Sequence, residues 1–225
     1  MSANLKRGCG ILLGAAFIIL SILALLPEAD VDHDAGYISS ELNIQETVDG
    51  SVTGTSYVNP DGVITEAIDM DYATVCRMWD ENGRIIEERY LDANGDPVAR
   101  YGDYYGVSYE CDETSTVITY LDAEGNPIIR SDGYSTIIRT QIDSMASEDF
   151  YYDLDGQQVQ CSGGYYGLHH WYNSDGQNIG MTFLNKDGHA VCSSSGYAGV
   201  TYQYNMDGTV VGELYFDTEG NPVRS

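Results

Sequence analysis

The chain has 225 residues, with 35 Asp and Glu against 10 Lys and Arg, and its formal net charge is −25. A surface with this charge repels nucleic acid and anionic lipid headgroups, and it attracts cations and basic proteins. High charge with low hydrophobicity is typical of disorder, but the 19 Tyr recur in register with Val and Ile, which excludes disorder for most of the chain.

The first predicted element is an apolar helix over residues 8–27, a stretch that carries no charge. Twenty residues in a helix rise about 30 Å, which matches the hydrocarbon core of a bilayer. Lys6 and Arg7 precede the stretch, and three acidic residues lie within 28–32. Because basic residues favour the cytoplasmic side, the segment predicts a single-pass anchor with its N-terminus in the cytoplasm.

This anchor divides the chain into a cytoplasmic N-terminus (1–7), a transmembrane signal anchor (8–27), an acidic linker (28–35) and an extracellular domain (36–225). A cleaved signal peptide is the alternative, although no Ala-x-Ala cleavage site follows the apolar stretch. Cys9, at the start of that stretch, is either an acylation site or an ordinary membrane cysteine. The predicted location is the cell membrane, with residues 36–225 outside.

Residues 36–225 repeat with a period near 32. The glycines expected to close turns are Gly50, Gly62, Gly83, Gly95, Gly125, Gly156, Gly176, Gly188, Gly208 and Gly220. Four pairs of them are 12 residues apart, and the step from Gly156 to Gly188 and on to Gly220 is 32. The step is 30 residues from Gly95 to Gly125 and 31 from Gly125 to Gly156, and in both of these units the first turn lacks its glycine. The spacing predicts about six units of a 32-residue β-repeat.

Three further ladders run in phase with the glycines. The second turn of each unit is closed by a glycine, called here the second glycine: Gly62, Gly95, Gly125, Gly156, Gly188 and Gly220. An aromatic residue lies five positions before each of these: Tyr57, Tyr90, Tyr120, Tyr151, Phe183 and Tyr215. An Asp or Asn follows two positions later: Asn59, Asp92, Asp122, Asp153, Asn185 and Asp217. Each unit begins with Tyr37, Tyr72, Tyr104, Tyr134, Tyr165 or Tyr197. Because their period equals the structural period, the aromatic ladders are predicted to form the core.

The last unit, residues 196–223, shows the predicted elements. Val200–Tyr204 alternates as a half-buried strand does, Asn205–Gly208 is a turn, and 209–216 is a second strand. The fold prediction is therefore all-β, an elongated antiparallel array of hairpin-like or solenoid-like units behind one transmembrane helix. The first unit, near 36–67, diverges most, as terminal repeats do. Ser193–Gly196 is predicted to be a flexible linker between units.

The segment Trp79–Ile85, Trp-Asp-Glu-Asn-Gly-Arg-Ile, resembles the tyrosine–aspartate repeats of RHS-type bacterial surface and toxin proteins. Tyr172–Gly176 and Tyr204–Gly208 match the same pattern in part, and the likeness covers most of residues 70–225. It implies strand-rich repeats at a bacterial surface. Phe150–Gly156 is also similar to glycan-binding repeats of Gram-positive surface proteins.

Turns of the form Asx-x-Asp-Gly at 153–156, 173–176, 185–188 and 205–208 match part of a calcium loop. A complete loop needs a Glu six residues after the Gly. The residues at those positions are Ser162, Thr182, Ser194 and Leu214. Plain β-turns are therefore predicted, with weak calcium binding between neighbouring turns as the alternative.

The histidines and cysteines give no metal site. His169 and His170 are adjacent in a predicted strand, so they should point to opposite faces of the sheet. His33 is expected in solvent beside the membrane. No Cys-x-x-Cys pair occurs among Cys76, Cys111, Cys161 and Cys192. Cys161 and Cys192 fall at nearly the same place in adjacent units, so a disulfide between them and free thiols are both open.

No catalytic, cofactor-binding or metal-binding residues are predicted. The sequence favours a non-catalytic surface protein that serves binding, adhesion or contact with the cell envelope. Its partners would be the membrane and an unidentified protein or glycan, without nucleic acid. The alternatives are a spacer or accessory subunit of a membrane complex, a weak calcium-dependent glycan-binding module and, last, an enzyme whose site is built on loops.

Overall fold

The computed structural model describes residues 37–223, and these form one antiparallel sheet of 12 strands. A short 3-10 turn, Ser39–Glu41, precedes the first strand. The strands are β1 (Asn43–Asp49), β2 (Val52–Val58), β3 (Thr74–Trp79), β4 (Ile85–Leu91), β5 (Gly106–Cys111), β6 (Ser115–Leu121), β7 (Thr136–Asp143), β8 (Ala146–Tyr152), β9 (Gly167–Tyr172), β10 (Asn178–Leu184), β11 (Gly199–Tyr204) and β12 (Val210–Phe216).

The spatial order of the strands equals their order in the sequence, so each strand pairs with the one before and the one after it. Odd and even strands form hairpins with short turns, whereas each even strand is joined to the next odd strand by a longer connector. The all-β prediction and the hairpin arrangement are confirmed. At an inter-strand spacing near 4.8 Å, the 12 strands span roughly 50 Å.

The predicted anchor at 8–27 lies outside the described residues, as does His33. Within residues 37–223, no helix is long and apolar enough to cross a membrane.

The turns follow the predicted glycines. All ten adopt positive φ, for example Gly95 at 87° and Gly208 at 86°. The connectors contain a further set of turns, closed by Gly102, Gly133, Gly164 and Gly196, that the sequence did not single out. Ser193–Gly196 is one of them. Ser194 N–H donates to the carbonyl of Gly163 in the preceding connector at 2.8 Å, so the segment predicted to be a flexible linker forms a turn bonded to its neighbour.

The connectors cover one face of the sheet, and the core lies between that face and the connectors. After each second turn, the chain runs back along the end of the even strand. Val98 N–H, for example, donates to the carbonyl of Tyr90 at 3.0 Å. Arg100 N–H then donates to the carbonyl of Tyr104 at 2.8 Å, which closes the connector just before β5. The core beneath contains Tyr72, Val75, Tyr90, Tyr104, Val107, Ile118, Tyr134, Ile137, Tyr151 and Cys161.

Candidate functional sites

The two predicted aromatic ladders meet in a single row of rings between the sheet and the connectors. Neighbouring ring centroids are 4.4 to 6.0 Å apart along Tyr57, Tyr72, Tyr90, Tyr104, Tyr120, Tyr134, Tyr151, Tyr165, Phe183, Tyr197 and Tyr215. Most of these rings are buried, and Tyr90 is only 2% exposed. Burial raises the pKa of Tyr104 to about 12 and raises that of Tyr90 further. The prediction that the ladders form the core is confirmed for these rings, but it is wrong for Tyr37, which is 37% exposed and lies outside the row.

Two arginines at equivalent places in successive connectors lie on this row. The guanidinium carbon of Arg130 is 4.5 Å from the ring centroid of Tyr120 and within 5.4 Å of two more tyrosine rings. Arg100 is 5.1 Å from the ring of Tyr90 and within 5.6 Å of Tyr72. Both follow the second glycine of a unit by five residues. The repeat register therefore shows that the two arginines are equivalent, whereas their cation–π contacts become visible only in the structure.

Neighbouring connectors are also tied to each other. Arg130 Nε donates to Asp103 Oδ2 at 2.7 Å, and Ser131 N–H donates to Asp103 Oδ1 at 2.8 Å. In the next pair of connectors, Ser162 Oγ donates to Asp132 Oδ1 at 3.1 Å. Burial alone would raise the pKa of Asp103, but the hydrogen bonds from Ser131 and Arg130 lower it overall. These contacts hold the connectors in a fixed line above the row of rings.

The side chains of the Asp and Asn residues in the turns accept hydrogen bonds from backbone N–H groups and so stabilise the turns. Asp92 Oδ1 accepts from the backbone N–H of Asn94 at 2.8 Å and from that of Asp96 at 2.9 Å. The same two bonds, to residues two and four positions later, are made by Asn59, Asp80, Asp153, Asn173, Asn185 and Asp217. These bonds lower the pKa of Asp92, and they lower that of Asp80 to about 2. Such bonds are what Asx turns require.

Two of the four residues at the closing positions of the calcium pattern lie inside strands. Thr182 is in β10 and Leu214 is in β12. Among residues 37–223, no group of three or more His, Cys, Asp or Glu side chains is arranged to hold a metal ion.

Acidic residues dominate the surface because they far outnumber the basic ones, and most of the basic ones are paired within the molecule. Residues 1–36 hold four of the 35 acidic and two of the 10 basic residues, and position 224 is one more Arg, so the described part holds 31 acidic and seven basic residues. Five arginines form ion pairs with carboxylates of this chain: Arg77, Arg84, Arg89, Arg130 and Arg139. A sixth, Arg100, lies on the aromatic row. The exposed charge is therefore strongly negative.

One ion pair is buried. Arg139 on β7 donates two hydrogen bonds to Asp149 on β8, at 2.7 and 2.6 Å, and the two side chains are 15% and 4% exposed. Burial alone would raise the pKa of Asp149, but Arg139 and His170 together lower it well below its usual range. His170 Nε2 lies 3.4 Å from Asp149 Oδ2, longer than a normal hydrogen bond, and Nδ1 lies 3.0 Å from Asn178 Nδ2.

This cluster joins strands β7 to β10 and resembles a structural polar network more than a reaction centre. Arg139 occupies both carboxylate oxygens of Asp149. A His–Asp pair that activates a nucleophile would need a hydroxyl or thiol on the free histidine nitrogen. Here Nδ1 faces the amide of Asn178 instead. The sequence did not reveal this cluster, because it depends on the register of three strand pairs.

His169 points to the opposite face of the sheet, as predicted. Its Nδ1 lies 3.0 Å from Glu148 Oε1, and its ring centroid is 5.1 Å from that of Trp171. Trp171 pairs with Ala146 on one side and with Gly180 on the other, so its neighbours on the sheet are small.

All four cysteines of the described part are free thiols. Cys161 is buried and Cys192 is exposed. The two are not equivalent, because Cys161 N–H donates to the carbonyl of Tyr165, and in the next connector Ser193, not Cys192, makes the matching bond to Tyr197. The disulfide alternative is not formed in this structure.

Comparisons with known proteins identify no family: no protein-family model matches the chain, and no curated protein matches it at a significant level.

Proposed function

We propose that this protein is a membrane-anchored, non-catalytic surface protein whose repeat array binds a partner outside the cell. The array would comprise about six 32-residue units, preceded by the transmembrane anchor at 8–27. The observation that carries the proposal is the distribution of charge. The arginines lie in ion pairs within the chain or on tyrosine rings, and the 31 acidic residues of the described part leave a large surplus of carboxylates without a basic partner. Such a surface complements a basic partner.

We also propose that the units are related to tyrosine–aspartate repeats of bacterial cell surfaces. The segment that carries the likeness, Trp79–Ile85, forms the turn between β3 and β4. Asp80 Oδ1 accepts from the backbone N–H of Asn82 at 2.8 Å and from that of Arg84 at 2.9 Å, and Arg84 Nε donates to Asp80 Oδ2 at 2.7 Å. This gives the Asp, Gly and Arg of the motif a shared structural task, which supports the proposal.

The partner is a protein or a glycan. A protein with basic residues matches the charge of the array. A glycan would use the patch formed by Trp171, His169 and Glu148, because a tryptophan ring beside hydrogen-bonding groups suits sugar stacking.

The test compares the full-length chain with a variant lacking residues 1–35 for binding to whole cells and to cell-wall polysaccharide. We expect the variant to retain binding, because the array would carry the specificity. Binding that disappears with the anchor would instead support a spacer or accessory subunit of a membrane complex. Binding that requires added calcium would support a calcium-dependent glycan-binding module.

A further inference from the structure

The strand β1 forms one edge of the sheet, and all seven of its residues are exposed. In an antiparallel ladder, alternate residues direct their N–H and C=O groups to opposite sides of the strand. Every second residue of β1 therefore turns both groups away from β2, toward the open edge. Within residues 37–223 no further strand pairs with this edge, and an edge of this length can accept one more strand by main-chain hydrogen bonding.

The side chains of β1 specify which strand would fit. Ile44, Glu46 and Val48 pair with Tyr57, Thr55 and Thr53 of β2, so these three lie on the face that carries the aromatic row. Ile44 is 63% exposed and Val48 is 75% exposed. Within the described residues, Glu46 makes no hydrogen bond or ion pair. The edge thus presents an apolar residue, a carboxylate and an apolar residue in one line.

The opposite edge, β12, also carries a carboxylate, Glu213, two residues from Tyr215, but this carboxylate is occupied. Glu213 accepts a hydrogen bond from the hydroxyl of Tyr215 in its own strand. The two edges therefore differ in whether the central carboxylate is available to a partner.

A second copy of the chain fits β1 poorly. The antiparallel register that pairs all seven residues of β1 with those of a copy would place Ile44 opposite Val48, but it would also place Glu46 opposite Glu46 of the copy. Like charges directly opposite each other destabilise a strand pair. The complementary strand carries a basic residue where β1 carries Glu46.

We propose that β1 binds an extended basic segment of another polypeptide as a thirteenth strand, in which a Lys or Arg lies between two apolar residues at alternate positions. The apolar residues would contact Ile44 and Val48, and the basic residue would pair with Glu46. This inference rests on the proposed binding function and names its partner class and its site. The net negative charge of the array would draw such a segment to the edge.

The test measures binding of peptide probes to the full-length chain in detergent micelles. The first probe is a capped heptapeptide that alternates Thr with Val, Lys and Val. A second probe has Glu in place of Lys, and a third has the composition of the first in an order without alternation. We expect the Lys probe to bind about three- to tenfold more tightly than the Glu probe, because a cross-strand charge pair replaces a repulsion. It should exceed the third probe by a similar factor, because only the alternating order places Lys opposite Glu46 and Val opposite Ile44 and Val48.

Glu46→Lys should reverse the preference between the Lys and Glu probes, and Glu46→Gln should remove it. The matched control is Glu213→Lys on β12, which makes the same change in net charge at the other edge and should leave the preference intact. Equal binding of the alternating and non-alternating Lys probes overturns the proposal, since it would show attraction by the acidic surface alone. The proposal is also overturned if Glu213→Lys, rather than Glu46→Lys, reverses the preference for the Lys probe over the Glu probe. Failure of every probe to bind has the same meaning.

These outcomes are separable from the test of the proposed function. If the unchanged chain and its Glu46→Lys variant bind cells or polysaccharide equally well and both ignore the probes, the edge site is lost and the surface function is kept. A chain that binds the Lys probe through Glu46 but binds no cell component keeps the edge site and loses the surface function.

Discussion

Arg130 lies with its guanidinium carbon 4.5 Å from the centre of the Tyr120 ring while its Nε atom donates to Asp103 at 2.7 Å. One side chain thus connects the core of one hairpin to the connector of the preceding unit. The ion pair is largely shielded from water, because Arg130 and Asp103 are 17% and 10% exposed. Contacts of this kind stabilise neighbouring units against each other in a repeat array.

Arg130→Ala should therefore lower the free energy of unfolding by about 2–4 kcal/mol, since it removes the cation–π contacts and leaves Asp103 without its charged partner. Arg130→Lys should cost less, because it keeps the charge. Chemical denaturation followed by circular dichroism measures both. Arg84→Ala is the matched control, and its more exposed ion pair should contribute less to stability than that of Arg130. Similar losses for Arg84→Ala and Arg130→Ala would show that Arg130 has no special role.

The buried pair Arg139–Asp149 predicts strong coupling. Asp149→Leu should cost about 3–5 kcal/mol, because it leaves a buried guanidinium without a carboxylate. Replacing both residues with Leu should cost much less than the single change, since no charge is then stranded. A double-mutant cycle on the free energy of unfolding measures the coupling. Additive effects of the two substitutions would contradict it.

Gly167 allows β8 and β9 to approach closely. A Cβ atom at this position would overlap the backbone oxygen of Asp149 and would lie 2.8 Å from Cδ1 of Phe150. We expect Gly167→Ala to destabilise the protein by more than about 2 kcal/mol, because backbone must move. At Gly212 the nearest atom is the flexible end of Gln203, at 3.1 Å. Gly212→Ala should therefore be within about 1 kcal/mol of the unchanged protein, and thermal unfolding compares the two.

Acid should weaken the turns that begin with Asp. Backbone hydrogen bonds lower the pKa of Asp92 and Asp217, and that of Asp80 falls to about 2, below an unfolded value of about 3.9. A lowered pKa in the folded state gives stability that is present above the unfolded pKa and is lost as the pH falls from about 4 toward 2. Unfolding monitored across this range should show the loss.

Asp92→Asn and Asp217→Asn test the origin of that acid sensitivity. Asn keeps the oxygen that accepts the two backbone hydrogen bonds but does not titrate, as Asn173 and Asn185 already demonstrate in this chain. The difference in stability between about pH 5 and about pH 2 should therefore be smaller in these variants. An unchanged difference would place the acid sensitivity elsewhere.

Alkali should act through the aromatic row. Burial raises the pKa of Tyr104 to about 12, above an unfolded value of about 10. A raised pKa for an acid that is neutral in the folded state gives stability that is present below pH ~10 and is lost as the pH rises toward the folded value. The near-ultraviolet absorbance of tyrosinate should therefore appear together with the loss of β-sheet circular dichroism. Gradual ionisation of all tyrosines in the intact fold would contradict this.

The sequence predicts the strands and the two regular sets of turns, because they depend on local residue chemistry: Gly at positive φ, Asx residues that accept backbone N–H groups, and alternating apolar residues. It also predicts that the tyrosines are buried. It does not predict that Tyr90 and Tyr104 belong to one row, because they are separated by a connector. Only the backward path of that connector brings their rings to 5.9 Å.

The polar contacts between strands could not be predicted from the sequence for a similar reason. Asp149 and His170 become neighbours only once the pairing of β8 with β9 is fixed, and no spacing rule encodes that register. Arg100 and Arg130 were different, because their shared distance from the second glycine was visible in the sequence. Their significance depended on knowing that tyrosine rings lie beneath the connectors.

The agreement between strand order and chain order has a consequence for how this protein is made. Each strand finds its partners among the segments immediately before and after it, so no distant part of the chain is needed to complete a hairpin. Proteins with such local contacts fold quickly, because little loop entropy is lost before the contacts form. Folding can therefore begin at the first hairpins and advance, one hairpin at a time, while the rest of the polypeptide is synthesised.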